Sequence, residues 1–70
     1  MIWMTTIVKH GPSEFYIKHA AYRCDGSCMW ETARYWRNQN RLWTKDVSEA
    51  TGYVTEIGAG RAEKIASKYL

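Results

Sequence analysis

The stretch from Arg34 to Leu70 constrains the fold more than any other part of the chain. Arg34-Tyr35-Trp36 and Leu42-Trp43-Thr44 are short, β-favouring aromatic runs, and Asn38-Gln39-Asn40 between them has turn character. Asp46-Val47-Ser48-Glu49 then sets a capping residue three positions before a glutamate, and Gly52 stops that helical turn almost as soon as it starts. Tyr53-Val54-Thr55 returns to β character. Beyond it Ala62, Ile65, Ala66 and Tyr69 recur at helical spacing with Arg61, Lys64 and Lys68 on the solvent side. The order is hairpin, helical turn, strand, helix. Gly58 and Gly60 each weaken a helix by up to ~1 kcal/mol relative to Ala, which places the helix start near Ala59 or Arg61.

The N-terminal half reads as a second hairpin. Ile2 to Lys9 is rich in β-branched and large apolar residues, Gly11-Pro12-Ser13-Glu14 punctuates a turn, and Phe15 to Tyr22 is the returning strand. By the period of two, Phe15, Ile17, His19 and Ala21 share one face of that strand, and Tyr16, Lys18, Ala20 and Tyr22 share the other. Asp25-Gly26, between Cys24 and Cys28, predicts a further tight turn. Met29 to Arg37 carries two competing patterns. Met29, Ala33 and Trp36 fall on one helical face opposite Arg34 and Arg37, but Trp30, Thr32, Tyr35 and Trp36 favour β structure, and a strand is the better fit. The predicted architecture is a single small α+β domain over residues 1–70: an antiparallel sheet of two hairpins with a C-terminal helix packed on one face.

Seventy residues leave a thin margin, since burial at ~25 cal/mol per Å² roughly cancels ~1.5 kcal/mol of ordering entropy per residue. Four Trp, five Tyr and one Phe help, because each ring system can bury ~150–250 Å². Those rings lie on both faces of the strands, and one helix cannot cover both. An exposed aromatic patch should therefore remain as a partner surface or a homodimer seam, unless loops and bends close over it. Ten Lys and Arg against seven Asp and Glu give a net charge of +3, enough for weak attraction to an acidic partner or to nucleic acid. Met1 to His10 has neither the basic start nor the cleavage site of a secretory signal, and no run approaches the ~20 apolar residues of a membrane span. The expected location is cytoplasmic, with Cys24 and Cys28 reduced.

As strand residues, Arg41, Trp43 and Lys45 point the same way. A two-residue turn adds Arg34 and Trp36 to that face, whereas a three-residue turn adds Tyr35 and Arg37. The candidate binding residues are thus Arg34, Trp36, Arg37, Arg41, Trp43 and Lys45. Such a face suits stacking on bases and neutralising phosphates, or a protein partner, since Trp, Tyr and Arg dominate interface hot spots. It is also compatible with Trp43 in the core and the basic stems lying along it. His10, His19, Cys24 and Cys28 are the right atoms for zinc, but their spacing is not that of a zinc motif and the first hairpin spreads them apart, so no metal is expected. The two cysteines, flanking the Asp-Gly turn, could join reversibly if oxidised. No nucleophile, base or paired carboxylates are positioned by the pattern, and the chain reads as a binder without a cofactor, not as an enzyme.

The run Arg34-Tyr35-Trp36, Leu42-Trp43-Thr44-Lys45-Asp46-Val47-Ser48-Glu49-Ala50-Thr51-Gly52-Tyr53-Val54-Thr55 and Ala62-Glu63-Lys64-Ile65-Ala66 resembles a pattern found among very short accessory proteins of phages and mobile elements. The resemblance covers residues 34–69. It implies a setting in which a small protein disables a host machine by binding it: a polymerase, a nuclease or, in the manner of anti-CRISPR proteins, a CRISPR effector. The implied partner is a host protein or nucleoprotein complex. The basic charge departs from DNA-mimicking inhibitors and points to an acidic protein surface or to nucleic acid itself.

Overall fold

Alternation along the strands decides most of the architecture. In the computed structural model, which describes all 70 residues, β1 (Ile2–Gly11), β2 (Glu14–Tyr22), β3 (Arg34–Arg37) and β4 (Leu42–Thr44) form one antiparallel sheet in the order β1-β2-β3-β4. Helix α1 (Glu56–Ala66) packs on one face, and short 3-10 turns occupy Trp30–Thr32, Val47–Glu49 and Ser67–Tyr69. The α+β fold of two hairpins and a C-terminal helix is the one the sequence predicts. The first hairpin is the longer, paired from Ile2 opposite Tyr22 to Lys9 opposite Phe15, with a break in register at the Gly-Pro-Ser turn. It meets the second through Lys18 opposite Tyr35 and His19 opposite Arg34.

Each face of the sheet has its own apolar cluster. Ile17 and Trp36 face α1, which contributes Ala66 and, partly buried, Ala62; Trp43 and Tyr53 complete the group. The opposite face gathers Ala20, Ala33 and Tyr35, flanked by Tyr16, Tyr22, Cys28 and Ala50. Ala59, Ala62 and Ala66 form the helix stripe that meets the sheet, and the small side chains of Ala62 and Ala66 pack in the cluster around the Trp36 ring. Ile65, predicted on that stripe, is 46 % exposed.

Three local predictions need correction. Helix α1 begins at Glu56, earlier than Ala59 or Arg61, because Thr55 is its N-cap: the hydroxyl accepts the Gly58 N–H at 3.0 Å. A Cβ on residue 58 would stand 3.1 Å from that hydroxyl, so the glycine that weakens the first turn also makes room for its cap. Thr55 therefore does not continue a strand, and Tyr53 makes only an isolated bridge to Phe15. Second, Met29 to Arg37 is a strand only from Arg34. Its first part folds as a 3-10 turn because Thr32 Oγ1 donates to the Met29 carbonyl at 2.6 Å and accepts the Ala21 N–H at 2.9 Å, pinning the turn to the end of β2. Third, four residues link β3 to β4, neither two nor three. Arg41 closes the loop with φ 50° and so lies outside the strand it was assigned to.

Candidate functional site

A row of aromatic rings crosses the helix-bearing face from one edge of the sheet to the other. Trp3 on β1 stacks on His19 of β2, with centroids 5.4 Å apart and ring planes 16° from parallel. His19 meets the Trp43 indole of β4 at 5.8 Å, Trp43 meets Trp36 at 5.5 Å, and Trp36 meets Tyr69 at 5.6 Å. Register explains the row. Thr5 opposite His19, His19 opposite Arg34 and Trp36 opposite Trp43 keep these side chains on one face across all four strands. The helix buries Trp36 completely but leaves the Trp3 end open, with Trp3 52 % exposed and His19, Arg34 and Trp43 partly so.

Two hydrogen bonds fix the middle of the row. Trp43 Nε1–H donates to the Ala66 carbonyl at 3.2 Å, tying the indole to the last turn of α1, and Thr5 Oγ1 lies 2.8 Å from His19 Nδ1. Burial pushes the His19 pKa below the ordinary histidine value, so the imidazole is neutral at pH 7 and offers a flat ring in place of a charge. At the core end, Trp36 Nε1 and Tyr53 Oη are buried without a well-formed hydrogen bond, and burial raises the Tyr53 pKa against a smaller opposing effect of the Trp36 N–H.

The six residues singled out in the sequence do not form one surface. Trp36 is 0 % exposed and serves as the central core side chain, beyond reach of any ligand in this fold. Arg37 points to the opposite face, where its guanidinium pairs with Glu49 at 2.9 Å. Arg34 stands beside His19 on the aromatic row, with its Nη1 on the carbonyls of Ala33 at 2.9 Å and Glu31 at 3.4 Å. Arg41 reaches the Tyr69 hydroxyl at 3.3 Å, and Lys45 is exposed just beyond β4. The structure thus unites Arg34 and Trp43 and adds Trp3, His19 and Tyr69. Period two places Trp3 and His19 each on some face of its own strand, but only the register of the first hairpin, with Trp3 opposite Ala21 and Thr5 opposite His19, puts them on the same one.

The opposite face holds a different arrangement. Lys18 is 7 % exposed, and its Nζ lies 4.4 Å from the Trp30 ring centroid, 5.5 Å from that of Tyr22 and 3.8 Å from Cys28 Sγ. Burial lowers its pKa, but the Tyr22 hydroxyl and the neighbouring Cys28 and Tyr35 outweigh it and hold the value above that of an ordinary lysine. The cation is therefore enclosed by ring faces with no carboxylate beside it. An open groove of about 300 Å³ lies where the Gly-Pro end of the first hairpin meets the Val47–Glu49 turn, lined by His10, Glu14, Tyr16, Val47, Ser48 and Ala50 among others. No hydrogen bond links its His10 and Glu14, and nowhere do three His, Cys, Asp or Glu side chains gather as a metal site would need. Cys24 and Cys28 are both free. No helix is long and apolar enough to cross a membrane.

Comparison with protein families, with curated proteins and with solved structures finds no match to this chain.

Proposed function

We propose that this protein works by stoichiometric binding to a macromolecular partner, through the Trp3–His19–Trp43 end of the aromatic row and the basic residues around it. The observation that carries the reading is the half-exposed Trp3 ring stacked on a neutral His19. A large, pre-positioned aromatic surface of this kind loses little side-chain entropy on binding, which is why Trp, Tyr and Arg concentrate at the centres of protein interfaces. Arg34 lies within the patch, and the exposed Lys45 just beyond β4 biases it towards an acidic surface, while Arg41 stands at the Tyr69 end of the row. The resemblance over residues 34–69 supplies the setting: a phage-type accessory protein that inhibits or redirects a host protein complex, such as a CRISPR effector, nuclease or polymerase.

A second reading has its own support. Exposed Arg41 and Lys45, without a carboxylate partner, flank stacked rings on a chain of net charge +3, which suits a single-stranded nucleic acid.

Affinity capture from a bacterial lysate, with and without nuclease, tests both. The tagged wild-type protein is compared with a Trp3→Ala, Arg34→Glu variant that melts at a similar temperature. A defined complex that survives nuclease and is lost in the variant supports the protein-directed reading. Capture by the variant equal to wild type rejects this face. Capture that disappears with nuclease, with affinity falling steeply as salt rises, moves the function to nucleic-acid binding, since counterion release demands that slope.

A further inference from the structure

The free edge of β1 borders the proposed binding face, with which it shares Trp3, and carries an inference of its own. Strand β1 ends the sheet, and no strand pairs with its outer side. Which of its backbone groups face outward follows from β2. Ala21 uses its N–H and C=O on Thr32 Oγ1 and the Met29 N–H, and Phe15 exchanges both with Tyr53, all on the side away from β1. The odd residues of β2 therefore point away from β1, and their partners Trp3, Thr5, Ile7 and Lys9 sit in the pairs that share no hydrogen bond. It is these residues of β1 that turn their N–H and C=O outward.

Edge strands of soluble proteins are commonly blunted by proline, by a charge along the strand or by shortness. From Ile2 to Val8, β1 has no proline and no charged residue, and Ile2, Trp3 and Met4 are exposed. We propose that this edge pairs with the same edge of a second copy of the chain, antiparallel about a twofold axis through Thr5, joining two four-stranded sheets into one.

Centring the uncharged run Ile2–Val8 on itself sets the register. A twofold axis perpendicular to the sheet preserves the faces, so only residues of equal parity can stand opposite one another, and hydrogen-bonded pairs must use the outward-turned odd positions. With the axis at Thr5, each Thr5 exchanges N–H and C=O with its counterpart, and Trp3 does so with Ile7 of the second copy. On the faces, Trp3 then lies against Ile7, Ile2 against Val8 and Met4 against Thr6. From Ile2 to Val8 every cross-strand pair is apolar or threonine, the pairing that stabilises antiparallel ladders, and beyond that run Lys9 falls opposite Met1 of the second copy. No unlike charges meet, so the self-match rests on backbone and apolar groups alone. An edge contact of this length is smaller than the ~1,600 Å² of a standard interface, so the dimer should be weak and concentration-dependent.

Sedimentation equilibrium over a concentration series tests it. The wild-type mass should rise from the 8.2 kDa of one chain towards twice that value. Because both copies carry +3, association should tighten as salt rises, opposite to nucleic-acid binding. Thr5→Pro removes an outward N–H that the β1–β2 ladder does not use and should leave a folded monomer at all concentrations. Thr5→Lys, which sets two ammonium groups on the axis, should do the same, and both variants are checked for a wild-type far-UV spectrum. Trp3→Ala keeps the backbone contacts and should still dimerise, though less tightly. A wild-type protein that remains monomeric into the millimolar range, or a folded Thr5→Pro variant that associates as wild type does, overturns the proposal.

Discussion

The two faces of this sheet are closed by different means. On one, a helix with an alanine stripe lies close enough to exclude water from Trp36, and the contact is apolar ring against small side chain. On the other there is no helix. The Trp30–Thr32 turn and the Val47–Glu49 turn close over tyrosines and over a lysine whose charge is met by aromatic rings. A helix can bury a whole ring only along its own length, and here it stops short of Trp3, which leaves one end of the aromatic row open. Loops cover less completely and can accommodate polar ends, so the opposite face tolerates Lys18 and the Tyr16–Tyr35 edge contact at 5.5 Å.

The comparison breaks most readily at Trp36. Trp36→Ala would empty the centre of the helix-bearing face, and the expected loss is about 3–5 kcal/mol, a large share of the stability of so small a chain. Urea denaturation measures it; a loss below about 1 kcal/mol would show that the helix does not depend on this ring.

Trp30→Ala sharpens the contrast on the loop-covered face. Trp30 is 67 % exposed, and exposed substitutions usually change stability by less than about 0.5 kcal/mol. Because its ring covers the Lys18 ammonium, the expected cost is about 1–2 kcal/mol. A double-mutant cycle with Lys18→Met should show coupling of about 1 kcal/mol; additive effects would mean the two side chains do not cooperate.

The smallest effect concerns His19 and the pH range below neutrality. Its folded pKa lies under the ordinary 6.5, so the unfolded chain takes up the proton first. Its contribution to stability is complete above about pH 6.5 and is lost as pH falls through the depressed folded value. The depressed carboxyls of Asp25 and Asp46, each held down by a serine two residues on, act in the same direction but below about pH 4. The loss of melting temperature between pH 7 and 5 should therefore be smaller in His19→Gln than in the wild type. An identical loss would assign that pH dependence elsewhere.

Much of the fold was legible in the chain. Period-two alternation in β2, the Asp-Gly turn and the turn character around Asn38 carry local instructions, and local instructions survive into the structure. The helix start was misread because Gly58 and Gly60 weaken the first turn and Thr55 resembles a strand residue until its hydroxyl is seen to accept the Gly58 N–H. The candidate site was less legible. Trp36 and Trp43 look equivalent as an aromatic pair, and only the position of α1 makes one core and the other partly exposed.

Sequence alone determined that this chain forms two hairpins followed by a helix, because hydrophobic period and turn chemistry are set by neighbouring residues. The tertiary structure alone decided that Trp3 and His19 join Trp43, that Arg37 leaves for the other face, and that Lys18 is enclosed by rings. Those outcomes depend on strand order, register and the reach of one helix, which bring together residues far apart in the chain.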